Sequence, residues 1–592
     1  MSVELNADYN GGATIQNVET ISVSGNNGGA AALNFNASGI SGLTEVVNNA
    51  VADPQGVSFT NVGSLANVSA KNTTTQTTVQ YTETAVGGSD DAVTVNVDNV
   101  TGGAAINVNS ATALGAGVES VTLNATGQNS NVVLNSNDAT VSTVAFTGDR
   151  NLTAQMNTNV TTSATTLNAS AATGNITITG IGAAAHTVTG GTGNDTFTFG
   201  TNFTAADTVD GGDGADTLAI TSSAGQTAFT AAQWGKVSNV ETVTFTDGGA
   251  AGDNVAQDMD ILTGVTRVNS VATNVNNDVY TYSDVANDFA FGVTGAGQTA
   301  ESLTVTLKDP SGLSDSVNVD LGSNATTAAN GVTLATLNDV AGAETVNIAS
   351  LGASSATTNT ITTSNVSGKL VITGDASITI GAANNATQID ASDLAGNFTL
   401  GGGTPYAVAG GNVQGGAGND VITAGASSQT INGGAGNDQI TGGAGADLMT
   451  GGTGADQFTT GQVGASVVAS ADTLNGNIAN GQTLTFGNGV DIITDFQSGT
   501  DTLNVDNGAA GVAPTNASGL SATTVLTDNE VYTLTGTYDT ATNVFTVDSN
   551  ATASTANVAM LVVEGDGALS FDDTSGYTLL QGVSSLAAGD FM

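Results

Sequence analysis

Residues 431–461 read INGGAGNDQITGGAGADLMTGGTGADQFTTG. Three copies of GGxGxDxUx, with U a large apolar residue, follow one another at a spacing of nine. Each carries an Asp, and no Lys or Arg lies near. Glycine allows the positive φ and close backbone approach of a tight turn whose carbonyls point inward. The three residues after each Asp suit a short strand with U facing in. Two units make one coil, so units i and i+2 stack as neighbouring strands about 4.8 Å apart. Carboxylates at that spacing repel. A hard cation held by six to eight carboxylate and carbonyl oxygens at about 2.3–2.6 Å removes the conflict, and these preferences are those of Ca²⁺. Mg²⁺ demands a small octahedron and keeps its waters, so it is the poorer match.

The motif occurs in two blocks. The second reads GGAGNDVIT (415–423), AGASSQTIN (424–432), GGAGNDQIT (433–441), GGAGADLMT (442–450) and GGTGADQFT (451–459). Apolar residues recur every nine positions at Ile422, Ile431, Ile440, Met449 and Phe458, a regularity that a flexible Gly-rich linker has no reason to keep. This frame puts Asp420, Asp438 and Asp456 in one ladder, with two calcium sites between successive turns. On the other side Asp447 faces Gln429, which predicts a weaker or absent site. The first block holds GGTGNDTFT (190–198) and GGDGADTLA (211–219), separated by a twelve-residue unit ending ADTVD. Asp195 and Asp216 are expected to share a calcium. Asp207 meets His186, which stands in the Asp slot of 181–189; imidazole is a poor calcium ligand, so His186 is read as a degenerate repeat position. The glycines expected to shape the sites are Gly191, Gly193, Gly212, Gly214, Gly416, Gly418, Gly434, Gly436, Gly443, Gly445, Gly452 and Gly454.

Composition agrees. The 592 residues carry 52 acids, six bases and a net charge of -46, and the last base is Lys369. Internal ion pairs cannot neutralise so many acids. Nucleic acid, whose binding needs phosphate neutralisation by Lys and Arg, is excluded as a partner on the same ground, and so is an anionic membrane surface. With 39 % apolar residues the chain can bury a core, but 79 Gly and 4 % aromatics favour short strands and tight turns over helices. There is no Cys, hence no disulfide, thiolate metal site or Cys nucleophile. The opening MSVELNADYNGG is not a Sec-type signal, and VAMLVV (558–563) is far too short to span a bilayer, so no membrane insertion is expected.

A second phrase recurs outside the glycine motif. IQNVETISV (15–23), AGVESVTLN (116–124), VSNVETVTF (237–245), TAESLTVTL (299–307) and AGAETVNIA (342–350) each give a Glu, a Ser or Thr, then alternating apolar and polar residues. GLTEVVNNA (42–50) and GVTRVNSVA (264–272) are degenerate copies. Five of the ten Glu open this phrase: Glu19, Glu119, Glu241, Glu301 and Glu344. Period-two alternation reads as half-buried strands. Its recurrence at variable spacing predicts stacked coils of a β-solenoid, the plainer alternative being a common way to start a strand.

The tandem units at 181–219 and 406–459 resemble the RTX (repeat-in-toxin) calcium β-roll family. DIITDFQSGTDTLNV (491–505) resembles the segment that caps such rolls, with Asp491, Asp495 and Asp501 as further ligands. The C-terminal tail resembles an uncleaved type I secretion signal. Membership would imply several bound Ca²⁺, export of an unfolded chain, and folding in external calcium. The expected fold is all-β: a parallel β-solenoid with calcium rolls and further β-rich modules. The expected divisions are an N-terminal β-rich region (1–180), a first roll (181–220), a central β-rich region (221–405), a second roll (406–460) and a C-terminal cap with the secretion signal (461–592). One His rules out HExxH chemistry, no GxSxG is present, and no enzyme is expected. Composition along the rest of the chain resembles the RTX-type surface-layer proteins of Gram-negative bacteria. That likeness implies a secreted, cell-surface, self-assembling lattice that grips lipopolysaccharide or another surface glycan. An RTX adhesin or extracellular filament is the alternative.

Overall fold

A computed structural model describes the chain apart from residues 27, 29–30, 51–52, 112–116, 223–227, 249–253, 272–278, 296–300, 313, 324–329, 340–341, 383–384, 402–403, 461–477, 488, 505–513, 518–529, 553–554 and 565–576. Residues 116, 272, 299–300, 461 and 505, at the edges of five quoted phrases, therefore lie outside the described residues. The chain divides into two compact units, Met1–Asp253 with Gln257–Val271, and Asn254–Ala256 with Ala272–Met592.

The first unit is a parallel β-solenoid, and the second is one through most of its length. In the first unit one sheet of eleven strands runs from Ser2–Leu5 to Val237–Ser238. A second sheet begins at Leu33–Asn36 and reaches Thr242–Thr246 and Arg267–Val271. Strands alternate between the two sheets, so each coil contributes one strand to each. The stack passes through residue 180 without a break: Thr166–Ala172 pairs with Thr187–Thr189, and Ile176–Thr179 with Thr196–Gly200, all in parallel.

The alternation in the sequence is what builds these coils. Thr242–Thr246 turns Val243 and Phe245 inward, both fully buried, and its Thr residues outward. All seven Glu-type phrases contain a strand: Thr20–Gly25, Glu45–Asn49, Ser120–Ala125, Thr242–Thr246, Arg267–Val271, Glu301–Leu307 and Thr345–Leu351. Each buried Val, Leu, Ile or Phe contributes roughly 1.5–3 kcal/mol over its exposed state. Corners use asparagine. The Oδ1 of Asn129 accepts the N–H of Asn151 at 3.1 Å, Asn151 that of Asn175 at 3.1 Å, and Asn175 that of Asn194 at 3.0 Å, a ladder that satisfies one turn N–H per coil.

In the second unit the coils run from Val279–Val285 to Thr502–Asn504 in one sheet and from Phe289–Thr294 to Asp491–Ile493 in the other. Tyr577–Gln581 then pairs in parallel with Asp491–Ile493 and antiparallel with Val558–Glu564. Val531–Asp539 and Val544–Val547 complete an antiparallel sheet over a separate core that includes Leu484, Phe486, Phe545 and Leu561.

Candidate metal centre

The nine-residue frame sets the packing of the second block. Val413, Ile431 and Met449 are in register in one sheet, and Ile422, Ile440 and Phe458 in the other. The five inward residues at 422, 431, 440, 449 and 458 are at most 1 % exposed. With U fixed inward, each Asp two positions earlier is carried to the corner between strand and turn. There Asp420, Asp438 and Asp456 stand one above the next, 18 residues apart. The Oδ1 of each accepts the N–H of its counterpart one coil earlier: Asp438 from Asp420 at 2.8 Å, and Asp456 from Asp438 at 2.9 Å. Asp420 Oδ1 accepts from Phe398 N–H at 2.7 Å below, and Asp501 Oδ1 from Asp456 N–H at 3.0 Å above. In the first block Asp195, Asp216 and Glu241 make the same contact in series, at 2.7 Å for Asp195 N–H to Asp216 and 2.8 Å for Asp216 N–H to Glu241.

The second carboxylate oxygen lies beside the first glycine of its unit, and in Asp195 and Asp420 it also accepts the N–H of Gly191 and Gly416, at 2.6 and 2.7 Å. The Oδ2 atoms of Asp216, Asp438 and Asp447 are buried with no hydrogen-bond partner. The first glycine of each unit forms the floor of a small cradle. A Cβ on Gly190 would overlap the Gly211 carbonyl oxygen and lie 2.8 Å from Asp195 Oδ2. One on Gly433 would collide with Asp438 Oδ2 and lie 2.7 Å from the Gly451 carbonyl oxygen. Carboxylate and carbonyl oxygens thus converge on space that only glycine leaves open. Burial raises the carboxyls of Asp195 and Asp456, and pushes Asp420 up to about 6, Asp438, Asp447 and Asp216 to about 7, and Asp491 to about 8. Charge repulsion from Asp420 and Asp456 adds to the effect at Asp438. Among the described residues no three acidic or imidazole side chains converge on one point. The arrangement is instead one carboxylate per coil with carbonyls between, an all-oxygen donor set with orphaned negative atoms, which fits a hard divalent cation.

The comparison with known families agrees. The model for the RTX calcium-binding nonapeptide repeat (4 copies) matches residues 204–219, 410–428 and 425–458. The chain carries RTX repeats in these segments. RTX nonapeptide repeats bind Ca²⁺ at several sites, and proteins that carry them are typically secreted. No curated protein matches the chain. Among the described residues no helix is long and apolar enough to cross a membrane.

Within the two RTX rolls the residues expected from sequence fall as follows. The nine-residue frame pairs Asp447 with Gln429, and Gln429 N–H does donate to Asp447 Oδ1 at 2.7 Å. Above it, however, Asp447 N–H donates to Asp491 Oδ1 at 2.9 Å, so the ladder on this side continues from Asp447 into the capping segment. Asp447 therefore has a carboxylate neighbour 44 residues away that a period of nine does not reveal. Asp495 takes the N–H groups of Gly451 and Gly452 at 2.9 and 2.8 Å. Asp501 takes Gln497 N–H at 2.8 Å on its second oxygen. Both caps seal turns with carboxylates already engaged.

Asp207 Oδ1 accepts His186 N–H at 2.8 Å, and its Oδ2 takes the N–H and hydroxyl of Thr204 at 2.7 and 3.0 Å. The His186 ring is 2 % exposed beside Phe199, as a degenerate inward-facing rung.

The glycines at the second and fourth positions of each unit stack coil on coil. Cβ atoms on Gly212 and Gly214 would run into the carbonyls of Gly191 and Gly193; on Gly434 and Gly436, into those of Gly416 and Gly418; on Gly452 and Gly454, into those of Gly434 and Gly436. Gly443 and Gly445 meet Gly425 and Ser427 in the same way. The Gly191 and Gly416 carbonyls bond to the N–H of Asp213 and Ala435, both at 2.9 Å. These glycines shape the turn. The first glycines, Gly190, Gly211, Gly415, Gly433, Gly442 and Gly451, border the cradles, and the clue in the sequence was the doubled glycine.

Proposed function

We propose that this RTX-repeat protein is a calcium-folded structural protein that self-assembles into an extracellular lattice on a cell surface. The observation that carries the reading is how the described chain is spent. It goes into stacked coils and one antiparallel sheet, with one calcium roll among the coils of each unit. Stacked coils of this kind present repetitive faces, which suit a building block. Acidic side chains left on those faces would take bridging calcium between copies of the chain. A lipopolysaccharide or another surface glycan is the proposed attachment partner. No catalytic role is proposed, and the buried setting of His186 supports that.

Electron microscopy of the full chain, negatively stained, tests this in millimolar calcium and after chelation. Ordered two-dimensional arrays that vanish on chelation are expected. Monomers under both conditions would overturn the lattice reading in favour of an adhesin.

A further inference from the structure

We propose that Glu241 completes a calcium site beyond the nonapeptide repeats, on the far side of Asp216. The ligands are the carboxylates of Asp216 and Glu241 and the main-chain carbonyl of Asn239. The family match in the first roll ends at residue 219, and the phrase VSNVETVTF that supplies Asn239 and Glu241 is not a glycine repeat.

Three alignments carry the inference. First, strand register runs Thr196, Thr217, Thr242, which places Asp195, Asp216 and Glu241 at equivalent positions of successive coils. The N–H donated to the acid above follows the same series, at 2.7 Å into Asp216 and 2.8 Å into Glu241. Second, the cradle repeats. Gly190 N–H bonds to the Asp210 carbonyl at 2.8 Å and Gly211 N–H to the Ser238 carbonyl at 2.9 Å, so Asn239 succeeds Gly211 as Gly211 succeeds Gly190. A Cβ on Gly190 would overlap the Gly211 carbonyl oxygen, and one on Gly211 would overlap that of Asn239 and lie 2.6 Å from Asp216 Oδ2. Asn239 holds φ +51°, a left-handed conformation that Asn tolerates better than other non-glycine residues. Third, Asp216 is fully buried and its Oδ2, the oxygen that faces this cradle, has no partner. An orphaned carboxylate oxygen in such a place costs free energy unless a cation meets it.

Two other phrases make the same rung without the cradle. Asp91 N–H donates to Glu119 at 2.8 Å and Asp315 N–H to Glu344 at 2.9 Å. There the lower acid takes Gly88 or Gly312 N–H, both at 3.0 Å, and neither leaves an orphaned oxygen. Glu119 is the matched control.

The test is calcium titration by calorimetry on the full chain, comparing wild type, Glu241→Gln and Glu119→Gln. Removing one ligand charge should weaken a single class of site roughly tenfold or more in the first variant, and leave the second identical to wild type. Identical titrations for all three would overturn the proposal. Should Glu241→Gln not fold in excess calcium, wild-type crystals grown with Tb³⁺ decide. An anomalous peak bounded by Asp216, Asn239 and Glu241 supports the site. Peaks along Asp420, Asp438 and Asp456 with none at Glu241 overturn it. No peak in either roll would instead overturn cation binding at the ladders themselves.

Discussion

Asp420 and Asp438, 18 residues apart, are joined by a 2.8 Å hydrogen bond from the main chain of the first to the carboxylate of the second. That bond uses one oxygen of Asp438 and leaves the other without a partner. At Asp438 the backbone satisfies one carboxylate oxygen, and the other is the one a cation would meet.

Asp438 borders two cradles, its own and that of Asp420, whereas Asp447 shares its ladder with one carboxylate, Asp491. Asp438→Ala is expected to remove two bound ions per chain and Asp447→Ala one. Calcium counted by equilibrium dialysis distinguishes them, and equal losses would rule out this register.

The cradle and the turn can be separated at adjacent glycines. Gly434 has φ +109° and stacks on the Gly416 carbonyl, so Gly434→Ala should destabilise the chain with or without calcium. A methyl on Gly433 would instead press on Asp438 Oδ2 and the Gly451 carbonyl, the oxygens of the cradle. Gly433→Ala should therefore abolish most of the calcium-induced rise in thermal midpoint. A full rise in Gly433→Ala would show that the cradle is not where the ion binds.

Protons and calcium compete for the same oxygens. Folding raises Asp438 from 3.8 to about 7 and Asp491 from 3.8 to about 8, chiefly by burial. The calcium-free folded state then binds more protons than the unfolded chain between those values. Its stability is greatest near pH 4, falls as pH rises, and levels off above about pH 8. With calcium the dependence reverses, because binding releases those protons, and affinity should fall roughly tenfold per pH unit for each proton displaced. Melting curves at pH 5 and 8 in about 1 M salt, where exposed charges are screened, check this. A calcium-free midpoint that is no higher at pH 5 would refute it.

Removing calcium altogether leaves buried carboxylates with no counter-charge in a chain of net charge -46. Chelation at pH 8 should remove most of the β signal in far-ultraviolet circular dichroism, with recovery on adding calcium back. An unchanged spectrum would show that the coils fold without the ion.

The second roll was legible because its period is strict. Once Ile422, Ile431, Ile440, Met449 and Phe458 face inward, no freedom remains in where the Asp residues stand. The Glu-type phrases revealed strands for the same reason, alternation of two, but not that Glu241 sits directly above Asp216. That pairing depends on a coil of 25 residues with a helical turn at Ala231–Trp234 inside it, and no fixed spacing announces it. The pairing of Asp491 with Asp447, above the second roll, escaped likewise, since 44 residues separate the two. The division between turn glycines and cradle glycines was hidden for a different reason: both are Gly, and only the direction of the missing Cβ separates them.

The strand Thr502–Asn504 is the last of its sheet, paired on one side with Gln457–Thr460. Its other side is met by Phe591, which bridges Leu503, while Asp590 accepts Gly499 N–H at 2.8 Å and Met592 N–H returns to the Leu503 carbonyl at 3.1 Å. An open edge of this kind is what amyloid-forming strands recruit. Here Asp590, Phe591 and Met592 plug it. A strand from a second molecule that meets this edge finds the Leu503 position already occupied by the chain's own backbone.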